Sequence, residues 1–142
     1  MALSLYLDTS VIVALFVADP FAARADKFLR SRKTQVIVSD FGSAELASAM
    51  ARLVRMSNLT RKEAQSAFAD FDVWIAGSVT RIEATSSDIR VAESFLRRLD
   101  LTLRTPDAVH IAIARRLGAE LVTFDTAMAA CARNLGVTVA RA

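Results

Sequence analysis

The feature that most constrains the fold is an alternation of short apolar runs with longer amphipathic segments. Five runs rich in Val, Ile and Leu have the length of buried strands: Leu3–Leu7, Val36–Val38, Val79–Glu83, Leu121–Phe124 and Val137–Ala140. Between them, apolar residues recur at helical spacing. Buried strands that alternate with helices predict a parallel sheet covered on both faces. We therefore expect an α/β fold, namely a three-layer α/β/α sandwich around a five-stranded parallel sheet.

The clearest helix signal lies just before the fourth predicted strand. Thr105 is a residue type that favours the N-cap position, Pro106 suits the first helical position, and Asp107 complements the helix dipole in the first turn. Gly118 follows the segment and is typical of a helix C-terminus. Because this helix precedes a strand, its first turn is expected at the edge of the sheet where the parallel strands end.

Length and composition set the class of protein. With 142 residues, 54% of them hydrophobic, the chain fits one domain spanning residues 1–142 with a sizeable core. A single cysteine, Cys131, excludes an internal disulfide and a multi-cysteine metal site. The N-terminus lacks a basic signal region, and the uncharged stretch Thr9–Ala18 is half the length of a membrane span. We expect a soluble cytoplasmic protein without a membrane association, and the apolar excess suggests a covering subunit or partner.

Four carboxylates are expected at one edge of the predicted sheet. Asp8 directly follows the first strand and Asp125 the fourth, while Asp107 and Glu45 lie early in helices that begin at the same edge. Each Asp alone is also explained as a helix cap or a dipole partner. Together, four carboxylates would repel one another unless a cation neutralised them. Their oxygen ligands favour Mg²⁺, with Mn²⁺ as the second choice.

Four spaced segments carry a family resemblance. They read LYLDTSVI at 5–12, SAEL at 43–46, PDAVHIA at 106–112 and LVTFD at 121–125. In this order they resemble the motifs of PIN-domain ribonucleases, and most closely the toxins of VapBC toxin–antitoxin pairs. The resemblance extends from Leu3 to Val139.

The resemblance implies a function and a set of site residues. It implies a Mg²⁺-dependent endoribonuclease, the toxin of a type II toxin–antitoxin system, which cleaves RNA with a metal-activated water. The implied partners are a small VapB-like antitoxin and a second copy of the chain in a homodimer. The implied catalytic and metal-binding residues are Asp8, Glu45, Asp107 and Asp125, with Asp8 and Asp107 foremost as direct ligands. Hydroxyl groups of Thr9, Ser10 and Thr123 would support them.

Two other classes of function compete with this reading. A phosphatase or phosphotransfer domain also places Asp at strand ends, but here Ser10 stands where a phosphatase of the haloacid-dehalogenase type has a second Asp. A receiver domain needs a late lysine, and the last lysine of this chain is Lys62. The other alternative is a non-catalytic module that binds RNA or a partner. The four acids argue against it without proving turnover.

The basic residues and the single histidine are less specific. Arginine supplies 15 of the 18 basic residues, and its planar fork suits phosphate, although genomic bias explains the excess equally well. The arginines that flank the acidic motifs are candidates for RNA contacts: Arg52, Arg55, Arg104, Arg115 and Arg116. His110 lies one turn after Asp107, and we interpret it as a packed or supporting residue without a catalytic role.

Overall fold

The computed structural model describes residues 4–17, 20–32 and 34–140. Within these ranges the chain forms four strands and seven helices. The strands are β1 (Leu5–Leu7), β2 (Val36–Ser39), β3 (Val79–Ile82) and β4 (Glu120–Val122). The helices are α1 (Thr9–Phe16), α2 (Ala22–Ser31), α3 (Asp40–Arg55), α4 (Arg61–Gly77), α5 (Ser86–Leu96), α6 (Thr105–Leu117) and α7 (Thr126–Asn134). Leu3 and Ala18, which the sequence reading included, lie outside the described residues.

The four strands form one parallel sheet in the order β3-β2-β1-β4. Tyr6 pairs with Ile37 of β2 on one side and with Leu121 of β4 on the other. Because all strands run the same way, their carboxyl ends meet at one edge. Asp8 directly follows β1 at that edge, and the turn leading to Asp125 follows β4. The predicted α/β class and parallel pairing are confirmed.

Two hydrophobic clusters show that helices cover both faces of the sheet. Successive strand residues point to opposite faces. Tyr6, Ile37 and Leu121 pack against core residues of α5, α6 and α7. Leu7 and Val38 pack in a second cluster with core residues of α1, α2, α3 and α4. This arrangement is the predicted three-layer sandwich.

The predicted fifth strand, Val137–Ala140, is wrong. This segment forms only an isolated parallel bridge between Val139 and Leu121. The cause is the short length of β4, because the backbone groups of Glu120 and Val122 bond towards β1. Only Leu121 turns its N–H and C=O to the other side, where they meet Thr138 at 2.8 Å and Ala140 at 2.9 Å. One pair of bonds makes a bridge rather than a ladder, and the described sheet has four strands.

Polar residues begin the helices that leave the carboxyl edge. Asp8, Ser39 and Asp125 are the N-caps of α1, α3 and α7, and each accepts a bond from a backbone N–H of its helix. The N-cap of α6 is Arg104, one residue before the predicted Thr105. Within the described part of the chain, no helix is long and apolar enough to cross a membrane.

Candidate active site

Asp8 lies at the centre of the carboxyl edge and is 4% exposed. Its Oδ1 accepts a hydrogen bond from the Ser10 hydroxyl at 2.6 Å and from the backbone N–H of Val11 at 3.2 Å. Ser10 Oγ also accepts the N–H of Phe124 at 3.2 Å. A single hydroxyl therefore joins the turn after β1 to the turn after β4 and holds the Asp8 carboxylate between them.

The electrostatic environment of Asp8 differs from that of the other buried aspartate. Burial raises the pKa of Asp8, even though hydrogen bonds from Ser10 and Thr123 act in the opposite direction. Asp88, 2% exposed, accepts Arg116 Nε at 2.8 Å and Nη2 at 3.0 Å. Burial acts on Asp88 as well, but the guanidinium and Thr85 outweigh it and lower the pKa. Among the described residues, no Arg or Lys forms an ion pair with Asp8. Its buried carboxylate therefore lacks the cation that Asp88 has.

Glu45 lies on the second turn of α3 and points towards the start of α1. Its Oε1 accepts the Thr9 hydroxyl and His110 Nε2, both at 2.5 Å. Thr9 Oγ1 also lies 3.1 Å from His110 Nε2, so the three polar groups form a closed triangle. Burial raises the pKa of Glu45, but the bonds from His110 and Thr9 outweigh it, so the pKa is lowered. Glu45 is therefore held as a carboxylate in a fixed orientation.

A buried chain of hydrogen bonds supports Glu45 from behind. His110 is 2% exposed, and its Nδ1 lies 2.6 Å from the Tyr6 hydroxyl, which lies 2.8 Å from Ser39 Oγ. Burial raises the pKa of Tyr6, so the phenol stays neutral. Since Ser39 Oγ accepts the N–H of Gly42 at 2.9 Å, its own proton is directed to Tyr6. We therefore assign Tyr6 as the donor to Nδ1, which leaves Nε2–H to donate to Glu45.

The sequence did not predict these hydrogen bonds. We interpreted His110 only as a packed or supporting residue, gave no polar role to Tyr6, and predicted Ser39 or Asp40 only as the cap of the following helix. One signal was available, because a tyrosine in a strand without charged residues needs a partner for its hydroxyl.

Asp125 and Thr123 occupy the turn after β4. Asp125 is exposed, and its Oδ1 accepts the N–H of Met128 at 3.0 Å, as an N-cap does. The N–H of Asp125 in turn donates to Thr123 Oγ1 at 3.0 Å. Thr123 is buried and thus braces the turn from inside. The capping interpretation and the metal-binding interpretation of Asp125 are compatible, because the cap uses only one carboxylate oxygen.

Asp107 is hydrogen-bonded at the start of its own helix and not to the other three acids. It is half-buried in the first turn of α6, where Oδ2 accepts the N–H of Arg104 at 3.3 Å. Across residues 4–17, 20–32 and 34–140, no three Asp, Glu, His or Cys side chains are close enough together to hold a metal ion. The structure thus joins Asp8 to the Asp125 turn through Ser10, and Glu45 to Thr9 and His110, without drawing all four acids around one point. Their shared role in a metal site remains a prediction.

Two clefts open beside Thr9 and Val13. One, of about 540 Å³, is lined by Glu45 together with Arg52 and Arg104. The other, of about 340 Å³, is lined by residues of the Asp8 and Asp125 turns and by two aromatic rings: Ser10, Asp125, Phe21 and Phe124. One cleft therefore reaches Glu45 and the other reaches Asp125.

The flanking arginines divide into two groups. Arg52 and Arg104 face the larger cleft. Arg116 is held by Asp88, and the guanidinium of Arg115 lies 5.7 Å from the centre of the Phe95 ring. Arg55 lines a separate groove between α3 and α4. Only the first two are placed for a ligand that reaches Glu45.

The donor set fits a hard divalent cation. Carboxylate and hydroxyl oxygens at the edge are the ligand type that Mg²⁺ and Mn²⁺ prefer. Asp8 supplies the electrostatic reason, because its buried carboxylate has no Arg or Lys partner in the part of the chain that the structure describes, and a carboxylate is costly to bury without a counter-charge. The donor types at this edge therefore match those that such an ion prefers.

The family follows from a comparison of the whole chain. The PIN domain family model matches residues 5–134. The chain belongs to the PIN domain family. This PIN domain is 34% identical over 120 residues to Ribonuclease VapC46 of Mycobacterium tuberculosis (strain ATCC 25618 / H37Rv), covering 83% of this chain and 79% of the relative. It is therefore of the VapC type, as the sequence motifs predicted; VapC-type PIN domains are the ribonuclease toxins of VapBC systems.

Solved structures show that the PIN fold extends over nearly the whole chain. The Mycobacterium tuberculosis toxin VapC20, described as cleaving the Sarcin-Ricin loop, superposes with a TM-score of 0.75 at 23% identity, covering 97% of this chain and 99% of that one. FitAcB from Neisseria gonorrhoeae gives 0.70 at 22% identity, with 96% of both chains covered. VapBC2 from Rickettsia felis, bound to a promoter DNA fragment, gives 0.70 at 15% identity, covering 96% and 97%. At these identities the likeness establishes the fold.

Proposed function

We propose that this PIN domain is an endoribonuclease that hydrolyses RNA phosphodiester bonds with Mg²⁺, and that it is the toxin of a type II toxin–antitoxin pair. The observation that carries the proposal is the buried carboxylate of Asp8, which has no Arg or Lys partner among the described residues and directly precedes Thr9, a residue in the lining of two clefts open to solvent. The 34% identity to a VapC ribonuclease supports the same reaction. Mn²⁺ is expected to substitute for Mg²⁺, because it prefers the same oxygen ligands.

Each acid has a distinct part in the proposal. Asp8, Asp107 and Asp125 would hold the ion, and Glu45 would complete the set from α3. When bound, the ion supplies charge stabilisation for the phosphodiester and lowers the pKa of a bound water to generate the nucleophile. Ser10 fixes the Asp8 carboxylate, and Thr123 fixes the turn that carries Asp125.

Two hydrogen-bond donors control the orientation of the Glu45 carboxylate. Thr9 and His110 both donate to Oε1, and Glu45 lines the larger cleft. There the carboxylate can accept a proton from an attacking water or bind the ion. Since Arg52 and Arg104 line the same cleft, the RNA backbone would lie against them with its phosphates next to Glu45.

The proposed partners follow from the family. Several structural neighbours are toxin–antitoxin complexes, including VapBC2 and a complex from Klebsiella pneumoniae. We therefore infer that a small VapB-like antitoxin binds this chain and blocks its activity. We also infer that the toxin forms a homodimer and acts in the cytoplasm, where its RNA substrate is made.

Mapping of cleavage sites tests the reaction. Purified protein is incubated with total RNA and Mg²⁺, and the new 5′ ends are sequenced. We expect discrete internal cleavage positions with the wild type and none with Asp8→Asn. Asp88→Asn is the matched control, because it makes the same change at an equally buried aspartate on the other side of the sheet. If the wild type bound RNA but did not cleave it, the non-catalytic binding module would be favoured instead.

A further inference from the structure

Two stacked aromatic rings flank the acidic edge and have no part in the proposed chemistry. The Phe21 and Phe124 rings are 4.8 Å apart between centroids, with 14° between their planes. The guanidinium of Arg24 lies 5.6 Å from the centre of the Phe21 ring and 5.1 Å from that of Phe124. Phe21 is 39% exposed, so a large apolar ring lies at the surface beside the turn that carries Asp125.

Phe21 serves its helix neither as a side-chain cap nor as a core residue. It is the N-cap of α2 and makes no side-chain capping bond there. Phenylalanine lacks the oxygen that a good N-cap supplies to the free N–H groups of the first turn. By contrast, Phe28 on the same helix is 8% exposed and belongs to the core. The Phe21 ring is therefore presented at the surface, stacked on Phe124, rather than packed in the core.

The surroundings of the two rings match single-stranded nucleic acid. One side of the pair opens into the 340 Å³ cleft, which also contains Ser10 and Asp125. The other side adjoins a cleft of about 470 Å³ with Arg24 and Arg133 in its lining. Aromatic faces for bases and guanidinium groups for phosphates, side by side, are the combination that binds unpaired strands. The Asp125 carboxylate lies in the lining of both clefts.

We propose that Phe21 and Phe124, with Arg24, form a stacking subsite for an unpaired RNA base next to the scissile phosphate. The proposal rests on the ribonuclease function proposed above and adds the residues that hold one base of the substrate. A base within a duplex is already stacked on both faces, so this subsite selects single-stranded segments or loops. Arg24 and Arg133 bind the phosphates that flank the stacked base.

Binding of a labelled RNA isolates the stacking contribution. All proteins carry Asp8→Asn so that RNA is not consumed, and the probe is a short fluorescein-labelled oligouridine. We expect Phe21→Ala to weaken binding by about 5- to 150-fold, the effect of losing one base–aromatic stack. Phe21→Trp should bind at least as tightly as the parent, whereas Phe21→Leu, which is apolar but has no π-face, should resemble Phe21→Ala. The same oligouridine annealed to oligoadenosine should show no difference among these variants.

Two controls complete the binding experiment. Ile89 on α5 is 50% exposed in the wild type. Ile89→Ala removes this apolar side chain and should leave RNA binding unchanged. Arg24→Gln should reduce the slope of log affinity against log salt by about one, because one phosphate contact is lost. Melting curves establish that every variant is folded.

Three results would overturn the subsite: no binding of oligouridine by the parent, equal binding by Phe21→Ala, or full binding by Phe21→Leu. If Phe21→Ala weakened only the complex with an antitoxin, the rings would belong to that interface. Cleavage of total RNA by the chain with Asp8 intact separates this proposal from the previous one. Failure of the ribonuclease proposal abolishes cleavage by the wild type, whereas failure of the subsite alone leaves Phe21→Ala cleaving as the wild type does.

Discussion

Two aspartates of equal burial should respond in opposite ways to the same substitution. Asp88→Asn removes a charge that accepts two bonds from Arg116, at 2.8 and 3.0 Å. Hydrogen bonds to charged groups contribute about 1.5–3 kcal/mol. Because the Arg116 side chain is 37% exposed, water can solvate the guanidinium that remains, and the loss stays below that of a fully buried pair. We expect Asp88→Asn to lower the free energy of unfolding by about 1.5–3 kcal/mol, or Tm by about 3–12 °C.

Asp8→Asn should cost no stability when divalent ions are chelated. Asparagine caps a helix as well as aspartate does, and its oxygen keeps the bonds from Ser10 and Val11. The substitution also removes a buried charge that has no Arg or Lys partner among the described residues. The melting temperature in EDTA is therefore expected to equal or exceed that of the wild type.

With Mg²⁺ present, the wild type should melt at a higher temperature than Asp8→Asn. An ion at 100 times its Kd stabilises the native state by about 2.7 kcal/mol, which raises Tm by about 5–11 °C. The wild type and Asp88→Asn should both show this rise, and Asp8→Asn should show none. The assay is thermal unfolding followed by circular dichroism, first in EDTA and then with excess Mg²⁺. The reasoning is refuted if Asp8→Asn destabilises the protein in EDTA as strongly as Asp88→Asn, or if it retains the full response to Mg²⁺.

Three further predictions concern acid stability, the support of Glu45 and the binding of RNA. The pKa of Asp88 in the native state lies below 3.8, so the carboxylate takes up its proton in the unfolded chain first as pH falls. The free energy of unfolding of the wild type, measured by urea titration, should therefore decline below about pH 4. Asp88→Asn should show a smaller decline. Tyr6→Phe removes the donor to His110 Nδ1 and should lower kcat for RNA cleavage about tenfold at unchanged KM, whereas an equal loss in folded fraction would show a merely structural role. Arg52→Gln and Arg104→Gln should raise KM and weaken its salt dependence with kcat retained, and a salt slope equal to that of the wild type would contradict their phosphate contacts.

Regular periodicity made most of the fold predictable. The alternation of apolar runs and amphipathic segments gave the strand order along the chain and the two covered faces, because burial on both faces requires continuous apolar strands. The segment after Gly136 has the same composition as the true strands. It does not extend the sheet because only Leu121 of β4 has its backbone N–H and C=O on that side. The composition of the segment does not reveal which way the backbone groups of a three-residue strand point.

The candidate site was predictable where local order along the chain determines position. Asp8 and Asp125 follow strands directly, so their place at the carboxyl edge follows from the parallel sheet. The link from Tyr6 through His110 to Glu45 joins residues separated by 104 and 65 positions, and only the packing of α3 and α6 against β1 creates it. The exposure of Phe21 likewise depends on how α2 is seated, which its sequence does not determine.

The central claim is that this acidic edge catalyses metal-dependent RNA hydrolysis. It is tested most directly by following total RNA in EDTA and then adding excess Mg²⁺, with the wild type, Asp8→Asn and Asp88→Asn side by side at a temperature where all three are folded. We predict intact RNA in EDTA, cleavage on addition of Mg²⁺ by the wild type and Asp88→Asn, and none by Asp8→Asn. Cleavage in EDTA, or cleavage by Asp8→Asn at the rate of the wild type, would contradict the account.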